Sequence, residues 1–247
     1  MVLLELKNIW YSPEETTESV AILKDVSCTL EDDRFYVITG PNGGGKSTLA
    51  KIIMGIYKPT SGKIILNGDD ITNLSISERA KLGIGYAFQQ PPRFKGITVG
   101  ELLSLARSKK CVGSGCNYLF DVGLCPKDYA NREVNSSLSG GELKRIEIAT
   151  LLSRNCKITV FDEPEAGIDM WSFSKLTDIF EKIHKGRDVT TVVISHQERI
   201  LKLADEIILM QEGVIKEKGE KIVLLGKIMK GKNNFKKDCL GRVEKNE

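Results

Sequence analysis

The sequence predicts an α/β fold with a mostly parallel β-sheet at its centre. Four apolar runs lack the in–out alternation of a half-exposed sheet, as is typical of strands buried on both faces. They are FYVIT (35–39), KITVF (157–161), TTVVIS (190–195) and EIILM (206–210). Between them lie helical segments with apolar faces at helical spacing, namely Leu49, Ile52, Ile53 and Ile56, and later Phe173, Leu176, Phe180 and Ile183. Strands that alternate with helices predict this class.

Two regions depart from the alternation of strands and helices. The segments LLELKNIW and VAILKDVSCTL near the N-terminus alternate more and predict antiparallel strands beside the core. Residues from about 93 to 135 look like an insertion, with the helical segment ELLSLARSKK and the loop CVGSGC. We therefore expect a single domain in which residues 1–92 and 154–226 form the catalytic core with its β-subdomain, and residues 93–153 form a helical subdomain.

The C-terminal tail, residues 227–247, contains seven basic and three acidic side chains. Such a charged end is more often a solvated terminus than a docking element, so we favour the first interpretation.

The composition is that of a water-soluble protein. Of the 247 residues, 41% are hydrophobic and 28% are charged, and the formal net charge of +3 is too small to indicate a nucleic-acid partner. No apolar run approaches the ~20 residues of a membrane-spanning helix, and MVLLELKNIW is not a signal peptide. The six cysteines contain no CxxC pair, which favours free thiols over a zinc site. We expect a cytoplasmic protein without direct membrane insertion.

A glycine-rich loop predicts the binding of a nucleoside triphosphate. It follows the strand FYVIT, precedes an amphipathic helix and fits the pattern G-x-x-x-x-G-K-[ST] at every required position. In such a loop, backbone N–H groups point at phosphate oxygens, Lys46 reaches the β- and γ-phosphates, and the hydroxyl of Ser47 binds Mg²⁺. The predicted ATP-binding residues are Gly40, Pro41, Asn42, Gly43, Gly44, Gly45, Lys46, Ser47 and Thr48.

Three further strand ends carry polar side chains that suit phosphate hydrolysis. Asp162 ends the strand ITVFD and is predicted to hold Mg²⁺, and Glu163 after it to polarise the attacking water. Gln89 in YAFQQP is a candidate for contact with Mg²⁺ or with that water, although glutamines at strand ends are usually solvated. His196 in VVISHQ is a candidate for contact with the γ-phosphate, although a lone histidine is more often an ordinary surface residue.

The segment LSGGE opens a predicted helix and has two interpretations. Ser139 with Glu142 three residues later forms a capping-box pattern, which needs no ligand. The same serine with Gly140 and Gly141 also forms an anion cradle at a helix N-terminus. Capping alone does not require two glycines, because glycine destabilises a helix.

The complete, ordered set of these motifs resembles the ATP-binding cassette (ABC) ATPases over nearly the whole chain. The resemblance implies a P-loop NTPase of ABC type in which two copies pack head to tail. It also implies that Ser139, Gly140 and Gly141 close on the γ-phosphate bound by a second copy, and that Asp169 couples the two sites. Glu163 is then the catalytic glutamate, His196 the switch histidine, and Gln89 the sensor of metal and water. The aromatic ring that stacks on adenine is expected near the first strand, where Tyr11 is the candidate.

Motif variants favour one branch of this family. The segments AFQQPP, SGGELKR, PEAGID and ERIL look like those of SufC, the ATPase of iron–sulfur cluster assembly. That likeness implies a SufB- or SufD-like scaffold as the partner. The alternative is the nucleotide-binding subunit of a membrane transporter, to which Leu138 before the signature serine points. A nucleotide-gated structural cassette that acts on nucleic acid is a third interpretation, supported only by the basic tail.

Overall fold

The computed structural model describes residues 1–13, 21–107, 117–186 and 189–227. The strands are β1 (Val2–Tyr11), β2 (Leu23–Glu31), β3 (Phe35–Thr39), β4 (Ser61–Leu66), β5 (Asp69–Asp70), β6 (Ile84–Ala87), β7 (Ile158–Asp162), β8 (Thr190–Ile194), β9 (Glu206–Gln211) and β10 (Val214–Glu220). The helices are α1 (Lys46–Met54), α2 (Ile76–Lys81), α3 (Val99–Ala106), α4 (Asn117–Asp121), α5 (Pro126–Tyr129), α6 (Gly140–Arg154), α7 (Met170–Gly186) and α8 (Glu198–Leu201).

A six-stranded sheet in the order β10-β9-β3-β8-β7-β6 forms the centre of the fold. Its strands are parallel except for β10, which pairs antiparallel with β9 at the edge. Every residue of β3, β7 and β8 is buried, which explains why these segments are continuously apolar. The predicted α/β class with a mostly parallel sheet is confirmed.

The N-terminal strands belong to a second, antiparallel sheet in the order β2-β1-β4-β5. Buried residues recur at alternate positions along much of β2, so one face of this sheet covers the core. The predicted antiparallel β-subdomain is confirmed. Its apolar face packs with helix α1 and one face of the central sheet in a single cluster of buried residues.

Helices α3 to α6 lie in the chain between β6 and β7, as expected for the helical insertion. Their apolar side chains form a second buried cluster with α7 and the other face of the central sheet. Helix α6 ends at Arg154, and the approximate bounds of the subdomains stay a prediction. The loop CVGSGC and the tail beyond Lys227 lie outside the described residues. No helix in the described ranges is long and apolar enough to cross a membrane.

Candidate functional site

The residues predicted to bind and hydrolyse the phosphate within one chain meet at one edge of the central sheet. Strands β3, β6, β7 and β8 are parallel neighbours or near neighbours, so their carboxyl ends open toward the same crevice. The glycine-rich loop follows β3, Gln89 lies just beyond β6, Asp162 ends β7 and His196 lies just beyond β8. Ligands of open α/β sheets bind at this position.

The glycine-rich loop needs its glycines for steric reasons. Gly40 has φ 136°, and a Cβ atom there would lie 1.8 Å from the carbonyl oxygen of Met210. Gly45 has φ 93° and precedes helix α1 without any side-chain cap. No capping side chain therefore accepts a hydrogen bond from the first N–H groups of α1. A phosphate suits that position, because it is negatively charged and can accept these hydrogen bonds.

The ammonium group of Lys46 is held at the start of this loop. Its Nζ donates hydrogen bonds of 2.9 Å to the carbonyl oxygens of Gly40 and Pro41. Burial lowers the pKa of Lys46, and the nearby carboxylates of Glu163 and Asp162 oppose that shift. The result is a buried cation at the point where the loop curls, which suits an anionic ligand.

Ser47 and Asp162 form the candidate magnesium site. The Ser47 hydroxyl donates to Oδ1 of Asp162 at 2.8 Å, and the Tyr86 hydroxyl donates to Oδ2 at 2.8 Å. Asp162 is 2% exposed, so its orientation is fixed by these two donors. A hydroxyl and a carboxylate side by side are the oxygen ligands that Mg²⁺ prefers, so the residues present fit this ion.

Glu163 lies at the sheet edge in an unusual backbone conformation. Its φ is 44°, in the left-handed region, and its N–H donates to the carbonyl of Ile194 at 3.1 Å. A non-glycine residue there costs on the order of 1–3 kcal/mol, and such strain is concentrated at functional sites. The side-chain amide of Gln89 donates to Oε2 of Glu163 at 2.9 Å. Among the described residues Gln89 therefore contacts the predicted catalytic carboxylate rather than the magnesium ligands.

A half-buried carboxyl group, that of Glu165, contacts the residue before the predicted switch histidine. The hydroxyl of Ser195 donates to Oε1 of Glu165 at 2.5 Å, and the N–H of Gln197 donates to that hydroxyl at 3.0 Å. Burial raises the pKa of Glu165, although the bonds from Ser195 and the backbone of His196 oppose the shift. This arrangement fixes the chain on both sides of His196, whose own side chain is half-buried.

The signature segment LSGGE is a capped helix start in this structure. Ser139 caps α6 by accepting from the N–H of Glu142 at 3.3 Å, and Glu142 returns the bond by accepting from the N–H of Ser139 at 2.7 Å. Glu142 also accepts from the Tyr129 hydroxyl at 2.5 Å and from Arg132 at 3.3 Å. Burial opposes ionisation of Glu142, but these hydrogen bonds and the charge of Arg132 outweigh it and lower its pKa to about 2.

The two signature glycines have a packing role that the sequence did not show. A Cβ atom on Gly141 would lie 2.5 Å from Oγ of Ser172, and one on Gly140 would lie 3.1 Å from the carbonyl oxygen of Gly167. The start of α6 therefore packs against the loop that leads into α7. Close packing is therefore one reason for glycine at these two positions. The anion cradle, which would be a second reason, stays a prediction.

Asp169 and Tyr11 make contacts within their own chain. The carboxylate of Asp169 accepts from the N–H groups of Trp171 and Ser172 at 2.9 and 3.0 Å, and so caps helix α7. The ring of Tyr11 is stacked on Tyr57, with centroids 5.2 Å apart and an interplanar angle of 7°. The coupling role of Asp169 and the adenine contact of Tyr11 stay predictions.

Tyr86 was not anticipated from the sequence. It lies in the buried strand β6, and a tyrosine in such a strand needs a hydrogen-bond partner for its hydroxyl. That need is a signal in the sequence, but the partner, Asp162, is 76 positions away and becomes adjacent only through the pairing of β6 with β7.

Comparisons with known proteins identify the family of this chain. The sequence profile of the ABC transporter family matches residues 23–166. An uncharacterised ABC transporter ATP-binding protein of Methanocaldococcus jannaschii is 40% identical over 208 residues, covering 81% of this chain and 83% of the relative. The energy-coupling factor transporter ATP-binding protein EcfA2 of Caldanaerobacter subterraneus is 32% identical over 222 residues. The match covers 86% of this chain and 77% of the relative.

A solved structure is similar over most of the chain. It is a dimeric ATP-binding cassette in a post-hydrolysis state, bound to ADP and phosphate, with a TM-score of 0.78 and 25% sequence identity. The match covers 89% of this chain and 99% of the other. On the strength of its site, its sequence and its fold, this chain belongs to the ABC transporter family and is an ATP-binding cassette ATPase that acts on ATP with Mg²⁺.

Proposed function

We propose that this chain is the ATP-hydrolysing subunit of a membrane transporter, that it works in the cytoplasm, and that it acts as a head-to-tail dimer. The observation that carries the hydrolytic part is the constellation of Lys46, Ser47, Asp162, Glu163 and Gln89 at one sheet edge. The transporter part is supported by the relatives, which are described as ATP-binding proteins of transporters. These relatives favour the transporter over the assembly role suggested by the motif variants.

In this proposal the glycine-rich loop and Lys46 bind the β- and γ-phosphates of ATP. Ser47 and Asp162 would hold Mg²⁺, which would neutralise charge on the phosphate oxygens. The Glu163 carboxylate accepts a hydrogen bond from the attacking water and so orients that water. As the oxygen–phosphorus bond forms and the β–γ bridging bond breaks, the proton of that water passes to the Glu163 carboxylate. Gln89 holds Glu163, and His196 contacts the γ-phosphate.

The dimer part of the proposal explains the distance between two phosphate cradles. No hydrogen bond in the described part of the chain joins residues 139–141 to the glycine-rich loop. The start of α6 is instead available to a phosphate bound by another copy. The similar cassette of known structure is itself a dimer bound to ADP and phosphate.

Size-exclusion chromatography tests the dimer. The variant Glu163→Gln should bind ATP without turnover and elute as a dimer when Mg²⁺ and ATP are added. Adding Ser139→Arg to this variant should leave it monomeric, because a long cation fills the cradle, while binding of ATP to the single subunit is unchanged. Equal dimer formation by both proteins would contradict the composite site.

The proposed contact with a membrane partner lies beside Gln89. A groove of about 140 Å³ is lined by Phe88, Pro91, Pro92 and Phe94, together with residues of α6. Phe88 and Phe94 are large apolar side chains that remain exposed to solvent. Such a groove suits an apolar segment of another protein, and its position would transmit movement of that segment to Gln89.

A second candidate function is the ATPase of iron–sulfur cluster assembly with a SufB- or SufD-like scaffold. The observation that favours it is the signature variant GGELKR, in which Lys144 and Arg145 are buried rather than solvated. The variant therefore reflects a specific internal arrangement of α6. Under this alternative the iron and sulfur chemistry belongs to the scaffold.

Anaerobic co-purification of the tagged chain from its own cells decides between the two candidates. A stoichiometric integral membrane protein, recovered with detergent, would support the transporter. A stoichiometric partner recovered without detergent, which accepts iron and sulfide, would replace the transporter with the assembly role.

A further inference from the structure

A buried ion pair on the signature helix lies outside the catalytic residues described above. Nζ of Lys144 is 3.0 Å from Oε2 of Glu147, one helical turn later on α6. The Lys144 side chain is 1% exposed and that of Glu147 is 10% exposed. Burial raises the pKa of Glu147, and the charge of Lys144 opposes the shift. Burying a charge pair of this kind costs desolvation free energy, so stability alone does not explain why the pair is present.

Both members of the pair bind the backbone of one residue, Phe88. The ammonium group of Lys144 donates to the carbonyl oxygen of Phe88. The N–H of Phe88 donates to Oε1 of Glu147 at 2.9 Å. Phe88 itself is 43% exposed, so packing of its side chain does not by itself fix the chain at this point. The ion pair therefore anchors the peptide units on both sides of Phe88.

The residue after Phe88 is Gln89, whose side chain donates to Glu163 at 2.9 Å. A short series of contacts thus runs from α6 through Phe88 and Gln89 to the predicted catalytic carboxylate. The start of the same helix is the signature segment. Lys144 lies five residues after Ser139, within the second turn of the helix.

We infer that Lys144 and Glu147 are positioning residues for ATP hydrolysis. They fix Gln89 relative to Glu163, and they make that placement depend on the position of the signature helix. When a second copy engages the start of α6, movement of the helix carries Phe88 with it and so shifts Gln89 relative to Glu163, which it already contacts in the single chain. The inference rests on the proposed roles of Gln89 and Glu163.

The test uses a variant without buried charge. Lys144→Met combined with Glu147→Leu removes both charges, so that neither is left unpaired in the interior, and the protein keeps its fold. We expect kcat to fall by roughly tenfold or more, because coupled contacts in one network are strong, while KM for ATP changes by less than about threefold. The rate of exchange of the Phe88 amide hydrogen should increase.

Combining the paired substitution with Gln89→Ala distinguishes an effect on the position of Gln89 from a general loss of structure. If the ion pair acts through Gln89, the paired substitution should change kcat less than about twofold when Gln89 is already absent. An equal loss in both backgrounds, or an unchanged kcat with Gln89 present, would overturn the inference.

The exchange measurement also separates this inference from the proposed function. If the wild-type protein shows no turnover that depends on Glu163, the proposed function fails. In that case unchanged exchange at Phe88 overturns the anchoring as well, and faster exchange supports it. The single substitution Lys144→Arg, which keeps the charge and a donor, should restore much of kcat relative to Lys144→Met.

Discussion

At the scale of single residues, the site is organised around a buried carboxylate with two donors. Asp162 accepts one hydrogen bond from Ser47 and one from Tyr86, both at 2.8 Å. A buried carboxylate without donors would be strongly destabilising, so each donor contributes to both stability and orientation. Because Ser47 belongs to the glycine-rich loop and Tyr86 to β6, Asp162 links these two elements through its side chain.

Tyr86→Phe tests this orientation. The substitution removes one hydrogen bond to a charged group and should lower stability by about 1–2 kcal/mol. It should also raise the Mg²⁺ concentration that gives half-maximal ATPase activity, by roughly tenfold, because Asp162 loses its fixed orientation. Tyr36→Phe is the matched control, since its buried hydroxyl accepts a hydrogen bond from the backbone N–H of Glu31. It should cost stability without changing the Mg²⁺ requirement, and equal Mg²⁺ curves for both variants would contradict the role of Tyr86.

Glu163→Gln tests the predicted catalytic carboxylate. General-base catalysis contributes about 10²–10⁴ in rate, so we expect kcat to fall by at least about a hundredfold. ATP binding should persist, because Glu163 is not part of the glycine-rich loop. Phosphate release and equilibrium binding of labelled ATP measure the two effects. Turnover close to that of the wild type would remove Glu163 from the mechanism.

At the scale of elements, helix α6 joins the signature segment to the rest of the helical insertion. Its first turn is fixed by the capping box of Ser139 and Glu142 and by the contacts of Glu142 with Tyr129 and Arg132. The glycines of that turn allow close approach to Ser172 at the start of α7. These contacts hold the first turn of α6 in place without a ligand.

Glu142→Gln tests the charge in this cap through the pH dependence of stability. The pKa of Glu142 is about 2 in the folded protein against an ordinary value of 4.5. A lowered folded-state pKa stabilises the protein above the unfolded value, and that stabilisation disappears as pH falls through the folded value. We expect the variant to be about 1–2 kcal/mol less stable at pH 7.

The difference in unfolding free energy between wild type and Glu142→Gln should shrink below pH 4.5 and vanish near pH 2. Denaturant titrations at several pH values measure it. Glu101→Gln is the control, because Glu101 closes the equivalent capping box of α3 from an exposed position. A difference for Glu142 that does not change with pH would show that its charge has no part in the cap.

At the scale of the whole molecule, an exposed apolar pair lies beside the signature segment. Trp171 is 83% exposed and Met170 is 77% exposed, both at the start of α7. The neighbouring Ser172 approaches Gly141 closely, so this pair lies next to the start of α6. In the proposed head-to-tail dimer this pair faces the second copy.

We expect Trp171 to become buried when the dimer forms. The chain has two tryptophans, so in a variant with Trp10→Phe and Glu163→Gln the only remaining tryptophan is Trp171. Its fluorescence emission should shift to the blue when Mg²⁺ and ATP are added. Trp171→Ala should weaken the dimer by roughly tenfold or more, as for a buried aromatic anchor. A dimer that forms without any shift in emission would place Trp171 outside the interface.

The sequence by itself determined the fold class and the family, because both depend on local signals. Continuous apolar runs reported the buried parallel strands, and the glycine-rich loop and the Asp162–Glu163 strand end carry their chemistry in adjacent positions. The order of these motifs along the chain identified the cassette. The motif variants did not determine the partner, because Lys144 and Arg145 of the variant GGELKR are buried within the cassette, where no partner contacts them.

Only the tertiary structure decided which side chains support those motifs. Tyr86 reaches Asp162 across 76 positions, and Lys144 reaches the carbonyl of Phe88 across 56. The contact of Gly141 with Ser172 likewise depends on how α6 and α7 approach each other. Such contacts join residues that are distant in the chain, and they are set by strand pairing and helix packing, which no local pattern of residues encodes.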